Sequence, residues 1–127
     1  MIANPATIRK NHFRDTSQYA IIYIYRPKKV IGFAAVYQIY LDNILAGTMK
    51  NNTGYIFKVL REGKSEIQSR APNAKASLRV EIKFGQKYYV RSTVYPSLKN
   101  MWGPTLDLKE VKEDKGEEDF AEVDLGG

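Results

Sequence analysis

The residues able to do chemistry in this 127-residue chain are few. His12 is the single histidine and cysteine is absent, so thiol nucleophiles, disulfides and thiolate zinc sites are excluded. No His, Cys or carboxylate cluster accompanies His12 at metal-ligand spacing, and no metal or cofactor is expected. No serine stands in a G-x-S-x-G turn, and neither G-x-x-x-x-G-K-[ST] nor G-x-G-x-x-G occurs, which removes the usual supports for hydrolase and nucleotide chemistry. Acid–base work needs paired carboxylates, but residues 1–104 hold only Asp15, Asp42, Glu62, Glu66 and Glu81, three of them in predicted turn or edge segments. No catalytic residue is assigned, and a cryptic hydrolase ranks third among the readings.

Binding chemistry is better represented. Tyr23-Ile24-Tyr25-Arg26 and Tyr88-Tyr89-Val90-Arg91 interleave aromatic rings with cations, a pattern that can stack a base or sugar beside a charge, or simply alternate between core and rim of a sheet. Residues 1–104 carry seventeen Lys and Arg against five Asp and Glu, +12, while residues 105–127 carry three against nine, −6. A basic body suits phosphate, anionic lipid or acidic glycan, and it also serves solubility. The candidate partner-binding residues are Arg26, Lys28, Lys29, Tyr89, Arg91 and Trp102, which combine charge or aromatic surface with predicted strand ends and loops. The acidic tail reads as a solvated terminus or as an internal mimic that screens the basic body.

The elements that must position these residues are strands. Nine Tyr and five Phe, many beside Val, Ile or Thr, favour a pleated surface over a helix. Residues 19–26 are nearly all apolar and stop at Pro27, which lacks the N–H a ladder needs. Residues 35–41 alternate, with Tyr37, Ile39 and Leu41 facing the core. Asp42-Asn43 predicts a two-residue type I′ turn into a return strand over 44–49, with a bulge or close backbone approach at Gly47. Further strands are predicted over 55–60, 65–70 as a weak exposed edge, 76–83, 87–95 and 105–111. Beyond Lys112 only Phe120, Val123 and Leu125 offer apolar area, too little to offset ordering, so a mostly disordered tail with at most a transient helical turn is expected.

The fold class is therefore all-β, a single antiparallel sandwich or open barrel of seven or eight strands, with parallel pairing disfavoured for want of crossover helices. Residues 1–18 read as an extended N-terminal arm, 19–111 as the sandwich and 112–127 as the acidic tail. No apolar run reaches the 18 residues of a membrane span, and the N-terminus shows no apolar signal region.

Four short stretches, in this order and spacing, resemble the bacterial domain of unknown function 2846 family: Tyr23-Ile24-Tyr25-Arg26-Pro27, Tyr40-Leu41-Asp42-Asn43 with Gly47, Glu62-Gly63-Lys64, and Gly85-Gln86-Lys87-Tyr88-Tyr89-Val90-Arg91. The resemblance runs from about Tyr19 to Val111. This chain has Arg61-Glu62 where a Pro-Gly pair is common and Asp42-Asn43 where Asp-Gly is common. The family's proteins are small, β-rich and often found as lipoproteins or in the periplasm, so the resemblance implies an envelope location and supplies no activity. The chain lacks the Cys of a lipid attachment site. The resulting expectation is a noncatalytic binding or scaffolding module of the bacterial envelope, meeting a protein, glycan or anionic membrane surface. Nucleic-acid or polyanion binding by the basic body is the alternative.

Overall fold

The computed structural model describes residues 2–3, 18–29, 34–95 and 104–126. Its elements are β1 (Ile2–Ala3), β2 (Ala20–Arg26), β3 (Tyr37–Leu41), β4 (Ile44–Met49), β5 (Thr53–Val59), β6 (Gly63–Ala71), β7 (Ala74–Ile82), β8 (Lys87–Tyr95), β9 (Thr105–Val111), α1 (Glu113–Phe120) and β10 (Asp124–Leu125). Among the described residues they form two sheets. The six-stranded sheet runs β1-β5-β2-β8-β9, with β10 also on β5, and the four-stranded sheet runs β4-β3-β6-β7. Eight strands are five residues or longer, and the sheets pack face to face as an all-β sandwich.

Alternation builds the core. Ile22 and Ile24, Ile39 and Leu41, Val80 and Ile82, and Leu106 and Leu108 each point inward from one strand and close one apolar cluster. Full burial of such aliphatic side chains stabilises the fold by about 1.5–3 kcal/mol each. Tyr37 joins them, its hydroxyl 2.7 Å from the Ser92 hydroxyl. Asp42 and Asn43 both take positive φ, 50° and 67°, as a type I′ turn requires. The β3–β4 register slips between Ile39 and Tyr40, opposite Ala46, so the bulge sits next to Gly47. A Cβ on Gly47 would lie 2.6 Å from the Tyr55 ring, so the close approach expected there is also present.

Three local expectations need correction. The segment read as a weak edge, 65–70, is the middle of β6, paired on both sides by β3 and β7. Ser65 and Ser69 flank Ile67 at fully buried inward positions; small hydroxyls fit there, and their polarity misled the reading. Next, β2 and β8 pair in parallel within the six-stranded sheet. The chain between them traverses the whole second sheet, which does the work a crossover helix does elsewhere. Finally, the acidic tail expected to be disordered forms α1 and β10, and both dock on the six-stranded sheet. Counting only the tail's own apolar residues overlooked the aromatic surface waiting for it.

Candidate binding surfaces

Side chains on the outer face of β2 and β8 meet rung by rung because the two strands are parallel and in register: Tyr23 opposite Tyr89, and Tyr25 opposite Arg91. The Tyr23 and Tyr89 rings stack with centroids 4.4 Å apart and planes 6° from parallel. Helix α1 lies across these rungs. Its one buried residue is Gly116, where an added Cβ would stand 2.3 Å from Cβ and Cγ of Tyr89. Phe120 then meets Tyr23 and Tyr25 in T-shaped contacts, at 5.1 Å and 6.1 Å between centroids, an arrangement that aromatic quadrupoles favour.

One polar contact fixes the helix. The Tyr25 hydroxyl donates to Asp119 Oδ2 at 2.8 Å, and Lys115 Nζ meets Asp119 Oδ1 at 2.9 Å. Burial works against ionisation of Asp119, but hydrogen bonds from Lys115 and Tyr25, with the charges of Lys115 and Arg91, hold its carboxyl below the ordinary range. Burial first, and then the Asp119 contact, pushes the Tyr25 phenol well above its usual value. Burial and the neighbouring Tyr23 and Glu117 do the same to Tyr89.

The six residues proposed from sequence therefore separate. Tyr89 is buried beneath α1 and is not available on the surface as expected, while Arg91 is half-buried beside it. Arg26 is 3% exposed and points into the mouth of the sandwich, where Nη1 donates to the Ala35 and Met49 carbonyls and the guanidinium lies 5.3 Å from the Tyr37 ring centre. It is a buried fastener between the two sheets, a role its place next to Pro27 and two lysines disguised. Trp102, like His12, lies outside the described residues.

Lys28 and Lys29 are exposed, and the topology gives them company. Arg26 pairs with Thr53 at the start of β5, and β8 runs parallel to β2, so the β4–β5 turn and the end of β8 arrive at the same end of the sandwich. The backbone N–H of Lys29 donates to Asn51 Oδ1 at 3.0 Å and Asn51 Nδ2 donates back to the Lys29 carbonyl at 3.1 Å, locking the two connections together. Lys29 Nζ stands 5.1 Å above the Tyr95 ring, which is half exposed. With exposed Lys50 preceding Asn51, three ammonium groups and one aromatic face share this end.

Three carboxylates of the basic body, Asp42, Glu62 and Glu66, serve as fasteners. Asp42 accepts from the Glu66 backbone N–H at 2.8 Å and pairs with Arg61 at 3.2 Å; Glu62 accepts from the Phe84 N–H at 2.9 Å, and Glu66 from Ser77 Oγ at 2.8 Å. The outer face of the four-stranded sheet is a polar lattice: Thr48 Oγ1 donates to Gln38 Oε1 at 3.0 Å, and Arg70 bonds Gln68 and lies 3.9 Å over the Tyr40 ring. Between β4 and Leu125-Gly126 a cleft of ≈ 490 Å³ opens beside Tyr55, whose hydroxyl donates to the Thr48 carbonyl at 2.6 Å and accepts from its N–H at 3.2 Å. Among the described residues no group of three or more His, Cys, Asp or Glu is placed to hold a metal, and no helix is long and apolar enough to cross a membrane.

Sequence reasoning missed Gly116 and Asp119, and it counted Phe120 only as apolar area too small to order the tail. Their spacing, a small residue and a Phe four apart with Asp between, was the available signal, since positions i, i+3 and i+4 share one helix face. No curated protein and no solved structure matches the chain. The profile of one family does match, over residues 16–103, a span that takes in β2 through β8 and the resembling stretches and stops short of β9 and the acidic helix. On that match the chain belongs to the family described as protein of unknown function (DUF2846).

Proposed function

We propose that this protein is a noncatalytic binding module of the bacterial envelope whose basic end, around Lys28, Lys29 and Lys50, holds an anionic membrane surface. The observation that carries this reading is the gathering of those three exposed lysines beside Tyr95 on connections locked by Asn51. Lysines near an anionic bilayer contribute about 1 kcal/mol each, and a half-exposed tyrosine suits the headgroup level. The envelope placement rests on the family resemblance, and a signal segment ending at a lipidated Cys in the upstream coding sequence would establish it. Nucleic acid ranks behind because Tyr23, Tyr25 and Tyr89, the rings that would have stacked bases, are engaged with one another and with Phe120.

Sedimentation with phosphatidylglycerol and phosphatidylcholine vesicles at physiological salt tests the proposal. Binding to the anionic vesicles alone is expected, with reversal of all three lysines to glutamate weakening it about a hundredfold. Binding unchanged by that triple reversal, or absent from both vesicles, overturns it.

A further inference from the structure

The acidic helix is poorly made for standing alone. It has eight residues, a glycine in its middle, five carboxylates against one lysine, and no basic residue in its last turn to meet the negative end of its dipole. Lys112 at its N-cap supplies no side-chain hydrogen bond. Helices this short are marginal in water, so the order of α1 comes from the sheet it lies on. That sheet face is shaped and charged for such a segment. The Tyr89 ring admits only a residue without a Cβ, the Tyr25 hydroxyl takes a carboxylate with Arg91 nearby, and Tyr23 and Tyr25 receive a phenyl ring in T-shaped contact.

We propose that this outer face is a docking groove for an acidic helical segment of a partner protein bearing the pattern Gly-x-x-Asp-Phe, and that residues 113–125 are its resting occupant. The intramolecular segment displays the chemistry a partner must offer: a small residue, a carboxylate three positions on, and a phenylalanine next to it. Val111 pairs with Tyr89 inside the sheet and a single residue, Lys112, joins it to the helix, so on this proposal the helix is released with the groove left intact. The resting occupant, tethered at high effective concentration, sets a threshold that the partner's affinity or local concentration must exceed. This site stands apart from the basic end, and its failure leaves the membrane reading untouched.

The test uses the full chain and a fluorescein-labelled peptide of residues 112–126 as probe. Fluorescence anisotropy is expected to show the peptide binding the full-length Asp119→Ala/Phe120→Ala variant at least tenfold more tightly than the unaltered chain, whose groove is filled. A peptide carrying the same two changes is expected to bind at least tenfold more weakly. Equal binding to both proteins, or equal binding of both peptides, overturns the proposal, as does no binding to a variant whose circular dichroism and melting show a folded sandwich. A second measurement needs no variant: amides of α1 in the unaltered chain should exchange with deuterium at least a hundredfold faster than those of β2 and β8. Equal protection would mean that the helix does not open separately, and the proposal falls.

Discussion

The two outer faces of the sandwich solve the same problem in opposite ways. On the four-stranded sheet Gln38, Thr48, Gln68, Arg70 and Tyr40 satisfy one another within and across neighbouring strands, and among the described residues no helix or strand lies over the face. On the six-stranded sheet Tyr23, Tyr25 and Tyr89 form an aromatic ribbon that takes a cover, and the chain's own acidic end supplies it. The difference teaches where to look for partners. A lattice whose polar groups already pair has little left to offer, whereas a face that needs covering keeps the chemistry of recognition in store.

The sharpest way to break this contrast is Gly116→Leu. With Tyr89 only 2.3 Å from the position of an added Cβ, the helix cannot seat, and a loss of about 3 kcal/mol is expected by urea unfolding, with weaker helical ellipticity and new binding of a hydrophobic dye. Unchanged stability would show that the cover contributes nothing. Tyr25→Phe should act more gently, by about 1 kcal/mol at neutral pH, since it removes one charge-assisted hydrogen bond in a partly buried setting.

That smaller effect has a pH signature. Asp119 is held below its ordinary value when folded, so its contribution is full above the carboxylate range and disappears as pH falls from about 4 through the lowered value. Tyr25 is raised, so its contribution is full below about 10 and is lost as pH rises beyond that. The difference between Tyr25→Phe and the parent should therefore shrink at both extremes, and a pH-independent difference would assign the effect to packing. Smallest of all is Arg70→Ala on the uncovered face, expected within about 0.5 kcal/mol because solvent replaces what Arg70 gives up.

Much of this architecture was legible from residue order. Turn residues tolerant of positive φ, alternation in β3 and β7, and the prolines and glycines bounding strands are local signals, and they located eight strands and the Asp42-Asn43 hairpin. What escaped was everything decided by distant partners. Ser65 and Ser69 look like edge residues until two neighbouring strands enclose them. Arg26 looks like a surface cation until the Ala35 and Met49 carbonyls claim it. Gly116 looks like a helix breaker until the Tyr89 ring makes it the only residue that fits. In each case the side chain's meaning lies with a residue more than eight positions away. The basic end was half visible: Lys28 and Lys29 stood out, while Lys50 joined them only through the antiparallel pairing of β2 with β5 and Tyr95 only through the parallel pairing of β2 with β8.

The phenol of Tyr55 has a consequence for how copies of this protein behave in a crowd. By donating to the Thr48 carbonyl and accepting from its N–H, it occupies on the free border of β4 the two groups with which an incoming chain would start a new strand. On the other sheet β1 and β10 sit along β5 in the same capacity. Backbone that would otherwise offer an incoming strand a template is thus already engaged at two borders, and at one of them a single hydroxyl group acts as the stopper.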